Sequence, residues 1–307
     1  MPARARADLA DGLPDWIEPL WWHDPEELVA RAPEATIGWF DLFEKPPVLA
    51  ALRRAERLEW LFTAFAGVDW LPLADLDARG VRLSCGSGLN ADAVAEFAVM
   101  QMLGVARGFR EIVRAQDRGE WLSRPPRQKP LAGSRALLLG YGAIGQALAR
   151  MLAPFGVEIV PVTRSGAAGT LGPDEWRGQL GTFDWVVLAL PGTPETAGLI
   201  DAQALAAMKA DAVLVNVARA DVVDQAALVE ALRAETIGGA VLDLSDPEPL
   251  PPGHALWSLP NAHVTMHLSG MPTPITRARS AERFVTNCER WREGAPLVGE
   301  VDLARGY

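Results

Sequence analysis

The chain has 307 residues, 49% of them hydrophobic and 22% charged, which is the make-up of a folded globular protein and excludes a disordered or collagen-like chain. A net charge of −10, from 29 Lys and Arg against 39 Asp and Glu, repels phosphate backbones and anionic lipid headgroups, so nucleic acid and membrane surfaces are excluded as expected partners. No apolar stretch reaches the roughly 20 residues of a membrane span and no secretory signal opens the chain, so a cytoplasmic protein is expected.

Cys85 and Cys288 stand far apart with no CxxC pair, which encodes neither a disulfide framework nor a thiolate metal site; no metal is expected. At roughly 100 to 200 residues per domain, the length predicts two domains.

In the first hundred residues, short apolar runs at Thr36-Ile37-Gly38-Trp39-Phe40, Leu58-Glu59-Trp60-Leu61-Phe62-Thr63 and Val81-Arg82-Leu83 alternate with helical patterns. That alternation predicts βαβ units and a parallel sheet. Trp39 and Phe40 follow the first run and are candidates either for a substrate-cleft wall or for core filling. From Asn90 to Arg110 a nearly all-apolar helix is predicted, too continuous for a surface helix and therefore buried between layers or domains. Three prolines in Arg124-Pro125-Pro126-Arg127-Gln128-Lys129-Pro130 then enforce a loop.

A second series follows, with buried strands expected at residues 135–139, 157–162, 185–190, 212–217 and 240–243. Continuous apolar strands of this kind are covered on both faces, as in a doubly wound sheet. After Thr273 one amphipathic helix is expected, with Phe284, Val285, Cys288 and Trp291 on a shared face that folds back onto the first domain.

The first strand of the second series runs into Gly140-Tyr141-Gly142-Ala143-Ile144-Gly145 and then into a helical pattern. In that context GxGxxG is a dinucleotide turn: glycines permit a tight bend and close backbone approach, while the helix N-terminus faces the pyrophosphate. Where an NAD-selective turn carries an acid at the end of the second strand, this chain has Thr163-Arg164-Ser165. A guanidinium and hydroxyls suit a 2′-phosphate, so NADP(H) is the preferred cofactor and NAD(H) the alternative.

Further carriers stand in order along the chain: Ala66-Gly67-Val68-Asp69, Val94-Ala95-Glu96, Gly119-Glu120-Trp121, Leu190-Pro191 with Pro194-Glu195-Thr196, Asn216 through Asp224, Leu242-Asp243, Glu248-Pro249-Leu250-Pro251 and His267. On these the chain resembles the D-isomer-specific 2-hydroxyacid dehydrogenases, and within them the glyoxylate/hydroxypyruvate reductases. The resemblance implies an α/β fold of two doubly wound parallel-sheet, Rossmann-like domains, the dinucleotide domain inserted in the substrate domain. The boundaries expected are 1–103 for the first part of the substrate domain, 104–275 for the dinucleotide domain and 276–307 for the returning helix.

The same resemblance implies a catalytic set of Arg219, Glu248 and His267. Reducing a 2-oxo acid puts negative charge on the carbonyl oxygen, which calls for a proton donor and a fixed cation. His267 is the expected general acid, Arg219 the holder of the substrate carboxylate and Glu248 the group that orients the imidazole and favours its charged form. Backbone N–H groups of Ala66 and Gly67 are expected on the substrate carboxylate. The cofactor contacts implied are Gly140, Gly142, Ala143, Ile144, Gly145, Thr163, Arg164, Ser165, Leu190, Pro191, Thr196, Val217, Ala218, Asp243, Ser269 and Gly270.

A homodimer is implied too, with the loop around Trp121 reaching across. The competing class is a nucleotide-sensing, non-catalytic interaction protein on the same scaffold. Two positions depart from the family pattern: Ala220 stands where Gly usually follows the arginine, and Met266 where Pro usually precedes the histidine.

Overall fold

The computed structural model describes residues 1–9 and 12–307. Contacts divide the chain into two compact units, Met1–Asn90 with Pro272–Tyr307, and Ala91–Met271. The first break falls ahead of the helix Ala91–Arg107, where the sequence put it near that helix's end. The reason is packing: Val94, Ala95, Ala98, Met102 and Val105 share one core with residues of the second unit's sheet.

The first unit holds three short parallel strands, β1 (Ile37–Trp39), β2 (Trp60–Phe62) and β3 (Arg82–Ser84), in the order β1-β2-β3. Alternation along β2 sends Leu61 to one face and Trp60 and Phe62 to the other. Leu61 packs with Leu28, Val48, Leu52 and Leu76 from the covering helices. On the opposite face Trp39, Trp60 and Phe62 meet Phe284 and Cys288 of the helix Pro274–Arg292. The Trp60 and Phe284 ring centroids lie 5.3 Å apart. That helix begins cleanly, with Thr273 in a capping box and Pro274 where a missing N–H costs nothing.

The second unit holds a six-stranded parallel sheet: β4 (Arg135–Leu139), β5 (Glu158–Val162), β6 (Trp185–Leu188), β7 (Val213–Asn216), β8 (Gly239–Leu242) and β9 (Ala262–Val264). Their order is β5-β4-β6-β7-β8-β9. Leu137, Val186 and Leu214 point into one core, and Leu138, Val187 and Val215 into the other, which is why these strands read as unbroken apolar runs. From β4 the chain moves outward to β5, then returns to β4's other side as β6. That reversal makes a switch point at the carboxyl ends of β4 and β6, where open α/β sheets bind ligands.

Candidate active site

At the end of β4, Gly140 has φ +98°, and a Cβ on it would lie 2.5 Å from the carbonyl oxygen of Ala189 beyond β6. A Cβ on Gly145 would lie 2.3 Å from the Gly140 carbonyl oxygen, so both positions admit glycine alone. Gly142 differs: a Cβ there meets nothing within 4 Å. It precedes the helix Ala143–Leu152 without a side-chain cap, so Ala143 and Ile144 open a helix whose N-terminal end carries the positive pole of the dipole. Two glycines closing the turn and a third facing open space fit a dinucleotide pyrophosphate.

Past β5, Thr163 donates its N–H to Leu171 O at 2.9 Å and its hydroxyl pairs with Thr170 at 2.8 Å, which fixes the start of the segment; Arg164 and Ser165 are exposed beyond it. Past β6, the Thr196 hydroxyl donates to Pro191 O at 2.9 Å and accepts from Thr193 N–H at 2.8 Å, closing the loop after Leu190.

β7 ends on the buried Asn216, whose amide donates to Arg219 O at 2.8 Å and accepts from Ala218 N–H at 3.0 Å. This folds Val217 and Ala218 into a tight link and fixes the backbone of Arg219. The guanidinium donates to Ala218 O at 2.7 Å. A Cβ on Gly192 would lie 2.8 Å from Arg219 Cγ, so that glycine makes room for the arginine stem.

β8 leads into the buried Asp243. Its Oδ1 accepts from the Thr265 hydroxyl at 2.7 Å and from Leu268 N–H at 3.1 Å; its Oδ2 accepts from the Ser269 hydroxyl. His267 N–H donates to Asp243 O at 2.6 Å. Asp243 and Ser269, expected on the cofactor, are thus engaged in shaping the segment that carries His267.

Glu248 Oε2 lies 2.9 Å from His267 Nδ1, and Ser245 N–H donates to Glu248 Oε1 at 3.2 Å. Glu248 is held by its neighbour's backbone and in turn fixes the imidazole, leaving Nε2 as the nitrogen turned from the carboxylate. The structure therefore brings Glu248 and His267 into contact, with Arg219 at the end of β7, separated from β9 only by β8.

The other histidines are otherwise employed. His23 pairs with Glu27 at the surface, and His254 Nδ1 caps the short helix Ala255–Ser258. Burial, reinforced by Arg110, pushes His263 down to about 4, so it is neutral near pH 7.

In the first unit, Ala66 and Gly67 follow β2. Their approach is set by Asp41, whose Oδ2 accepts from Ala64 N–H at 2.7 Å and Trp39 Nε1 at 2.8 Å, and whose Oδ1 accepts from the Thr63 hydroxyl at 2.6 Å. Burial pushes the Asp41 carboxyl up, against the pull of these donors. Trp39 and Phe40 are both buried in the unit's cores, which decides between the two alternatives left by the sequence: they are core fillers.

Gly192 and Asp41 escaped the sequence reading, and Asn216 and Thr265 were noted only as parts of strand-end motifs, without the bonding roles they have here. The available signal was a polar residue at the end of an apolar strand, visible for Asn216 and Asp243 alike.

Both departures have physical accounts. Ala220 opens a short 3-10 turn and is not among the described non-glycine residues with positive φ, so its methyl group is accommodated. Met266 has φ +58° and His267 +56°. Proline, locked near −65°, cannot adopt the first. The bonds to Asp243 hold the segment without that proline.

Residues 99–269 match the family model described as the D-isomer specific 2-hydroxyacid dehydrogenase NAD binding domain. The glyoxylate reductase/hydroxypyruvate reductase of Mus musculus is 32% identical, covering 99% of this chain and 96% of its own. Among solved structures, a D-isomer specific 2-hydroxyacid dehydrogenase family protein from Aeromonas salmonicida subsp. salmonicida A449 is similar at TM-score 0.86 and 30% identity, over 98% of this chain and 96% of that one. The NADPH-dependent glyoxylate/hydroxypyruvate reductase of Sinorhizobium meliloti, solved with NADP and malonate, is similar at TM-score 0.79 and 27% identity, over 97% and 94%. With a glycine turn at the switch point, an imidazole–carboxylate pair at the same sheet edge and matches along nearly its whole length, the chain belongs to the D-isomer specific 2-hydroxyacid dehydrogenases.

Proposed function

We propose that this enzyme reduces a small 2-oxo acid of the glyoxylate or hydroxypyruvate type to the D-2-hydroxy acid, with NADPH preferred over NADH. The observation that carries the proposal is the 2.9 Å contact between His267 and Glu248 at the edge of the sheet that also carries the glycine turn. The chemistry supplied by a bound nicotinamide is hydride transfer to the carbonyl carbon. His267 Nε2 donates the proton that the carbonyl oxygen takes up, and serves as base in the reverse direction. Glu248 holds Nδ1, which fixes the ring orientation.

In the second unit, the planar fork of Arg219 binds the substrate carboxylate and stabilises charge growing on the carbonyl oxygen. In the first unit, the N–H groups of Ala66 and Gly67 serve the carboxylate. Gly140, Gly142, Ala143, Ile144 and Gly145 cradle the pyrophosphate; Leu190, Pro191, Thr196, Val217, Ala218, Asp243, Ser269 and Gly270 line the remaining length of the cofactor. The direct test is loss of NADPH absorbance with glyoxylate or hydroxypyruvate; no turnover of any 2-oxo acid removes the proposal.

Cofactor choice rests on Thr163, Arg164 and Ser165, where a carboxylate would repel a 2′-phosphate and a guanidinium binds it. We expect kcat/KM at least about tenfold higher with NADPH than with NADH, and about a tenfold narrowing of that ratio in Arg164→Ala, as loss of one charge-assisted hydrogen bond implies. Equal values for the two cofactors refute the preference.

The enzyme is proposed to act as a homodimer. Trp121 is 97% exposed, and Phe109, Ile112, Val113 and Leu122 are also exposed nearby in sequence, a run of large apolar groups of the kind that interfaces cover. Sedimentation should give a dimer that Phe109→Glu combined with Trp121→Ala converts to monomer; an unchanged mass places the interface elsewhere. A cytoplasmic setting completes the proposal, in keeping with two buried free thiols; among the described residues no helix is long and apolar enough to cross a membrane.

A further inference from the structure

Past the end of β2 the backbone donors of the first unit change their use within a few residues. Thr63 N–H donates to Ser84 O at 3.0 Å, Ala64 N–H to Asp41 Oδ2 at 2.7 Å and Phe65 N–H to the Thr63 hydroxyl at 3.2 Å. Ala66 and Gly67 come next, and among the described residues no acceptor of the chain takes either N–H.

One buried side chain stands behind this change. Asp41 Oδ2 takes the Ala64 N–H directly, while Oδ1 accepts at 2.6 Å from the Thr63 hydroxyl, whose oxygen then takes the Phe65 N–H. The relay has one direction: the hydroxyl proton goes to the carboxylate and a lone pair is left for Phe65. Asp41 is itself held, since Trp39 Nε1 donates to Oδ2 at 2.8 Å and the Arg4 guanidinium donates to the Asp41 carbonyl at 2.6 Å. From the other side Gly86 N–H donates to Phe65 O at 2.9 Å, an approach that requires glycine because a Cβ there would overlap the Ala64 carbonyl oxygen. The Phe65–Ala66 peptide is trans, so its N–H points opposite to that carbonyl. Fixing Phe65 O therefore also fixes the aim of the Ala66 N–H.

We propose that Asp41 and Thr63 are positioning residues for the substrate carboxylate, holding the Phe65–Ala66 peptide so that the Ala66 and Gly67 N–H groups stay aimed at an incoming anion. The proposal rests on the oxo acid reduction and the role of Ala66 and Gly67 put forward above. Donors ordered beforehand bind an anion without the cost of ordering them. Loosening them should weaken binding of the acid, and so raise its KM, while the groups that perform the chemistry stay untouched.

The test is steady-state kinetics of the full chain with NADPH and whichever of glyoxylate and hydroxypyruvate it turns over faster. Thr63→Val removes the relay at nearly constant volume, and KM for the oxo acid should rise about five- to tenfold, as loss of a hydrogen bond implies. Both kcat and KM for NADPH should stay within about twofold, since every residue assigned to the cofactor lies in the second unit. Thr63→Ser keeps the hydroxyl and should recover most of the loss. Asp41→Asn should exceed Thr63→Val, because an amide offers one accepting oxygen where the carboxylate offers two; if that variant does not fold, the Thr63 pair still decides. An unchanged KM for the oxo acid in Thr63→Val, or a matching change in kcat or in KM for NADPH, overturns the positioning role while leaving the reduction in place. No turnover of either acid by the parent removes both.

Discussion

His267→Gln is expected to lower kcat/KM for 2-oxo acid reduction by about 10²- to 10⁴-fold, the range spanned by loss of a positioned general acid. Glutamine keeps a polar group of similar reach but has no proton to give up near neutral pH. The imidazole is about half exposed, so the substitution should leave the melting temperature within a degree or two of the parent. Activity above a third of the parent value would exclude His267 as the acid. Glu248→Gln provides the finer comparison: an amide oxygen can still accept from Nδ1, but the charge-assisted hydrogen bond to the ring is gone. Its defect should be smaller than that of His267→Gln.

Arg219→Gln should cost about 10²- to 10³-fold in kcat/KM, from truncation of one partner of a hydrogen-bonded charge pair, with each factor of ten worth about 1.36 kcal/mol. Arg219→Lys should recover only part of this, since an ammonium keeps the charge and loses the fork. Steady-state kinetics with a 2-oxo acid and with the matching aldehyde, which lacks the carboxylate, separates the roles. If the guanidinium holds the carboxylate, the aldehyde is insensitive to the substitution beyond what carbonyl polarisation contributes. Equal losses on both compounds would reassign Arg219 to the carbonyl alone.

How much of this was legible in the sequence depended on whether the signal was local. The glycine turn could be read from spacing because its three glycines answer to sterics within a few residues, and the geometry at Gly140 and Gly145 supplies the reason. The strands β4, β6, β7 and β8 were visible as apolar runs, since burial on both faces leaves no polar alternation; β5, expected to be buried, lies at the sheet edge with Glu158 exposed and Ile159 and Val160 half-buried. β9 was not, being short and carrying His263. The Glu248–His267 contact spans 19 positions and only the family pattern pointed to it. That Trp39 and Phe40 face inward is settled by the packing of the helix Pro274–Arg292 and the covering helices, information carried far from those residues. Asp243 was expected on the cofactor from the family pattern alone; its hydrogen bonds within the chain reach to the segment 265–269, more than twenty positions away, where no local signal pointed.

The consecutive left-handed residues Met266 and His267 have a consequence for any effort to make this protein hardier. Each non-glycine residue in that region sits roughly 1–2 kcal/mol above its relaxed backbone, a debt carried only because the Asp243 bonds leave the segment no alternative path. A glycine in place of Met266 would lift the folding stability, yet it would also let the ring wander from its aim. Heat tolerance and turnover are therefore opposed at this one bend, and a selection for the first alone would be expected to erode the second.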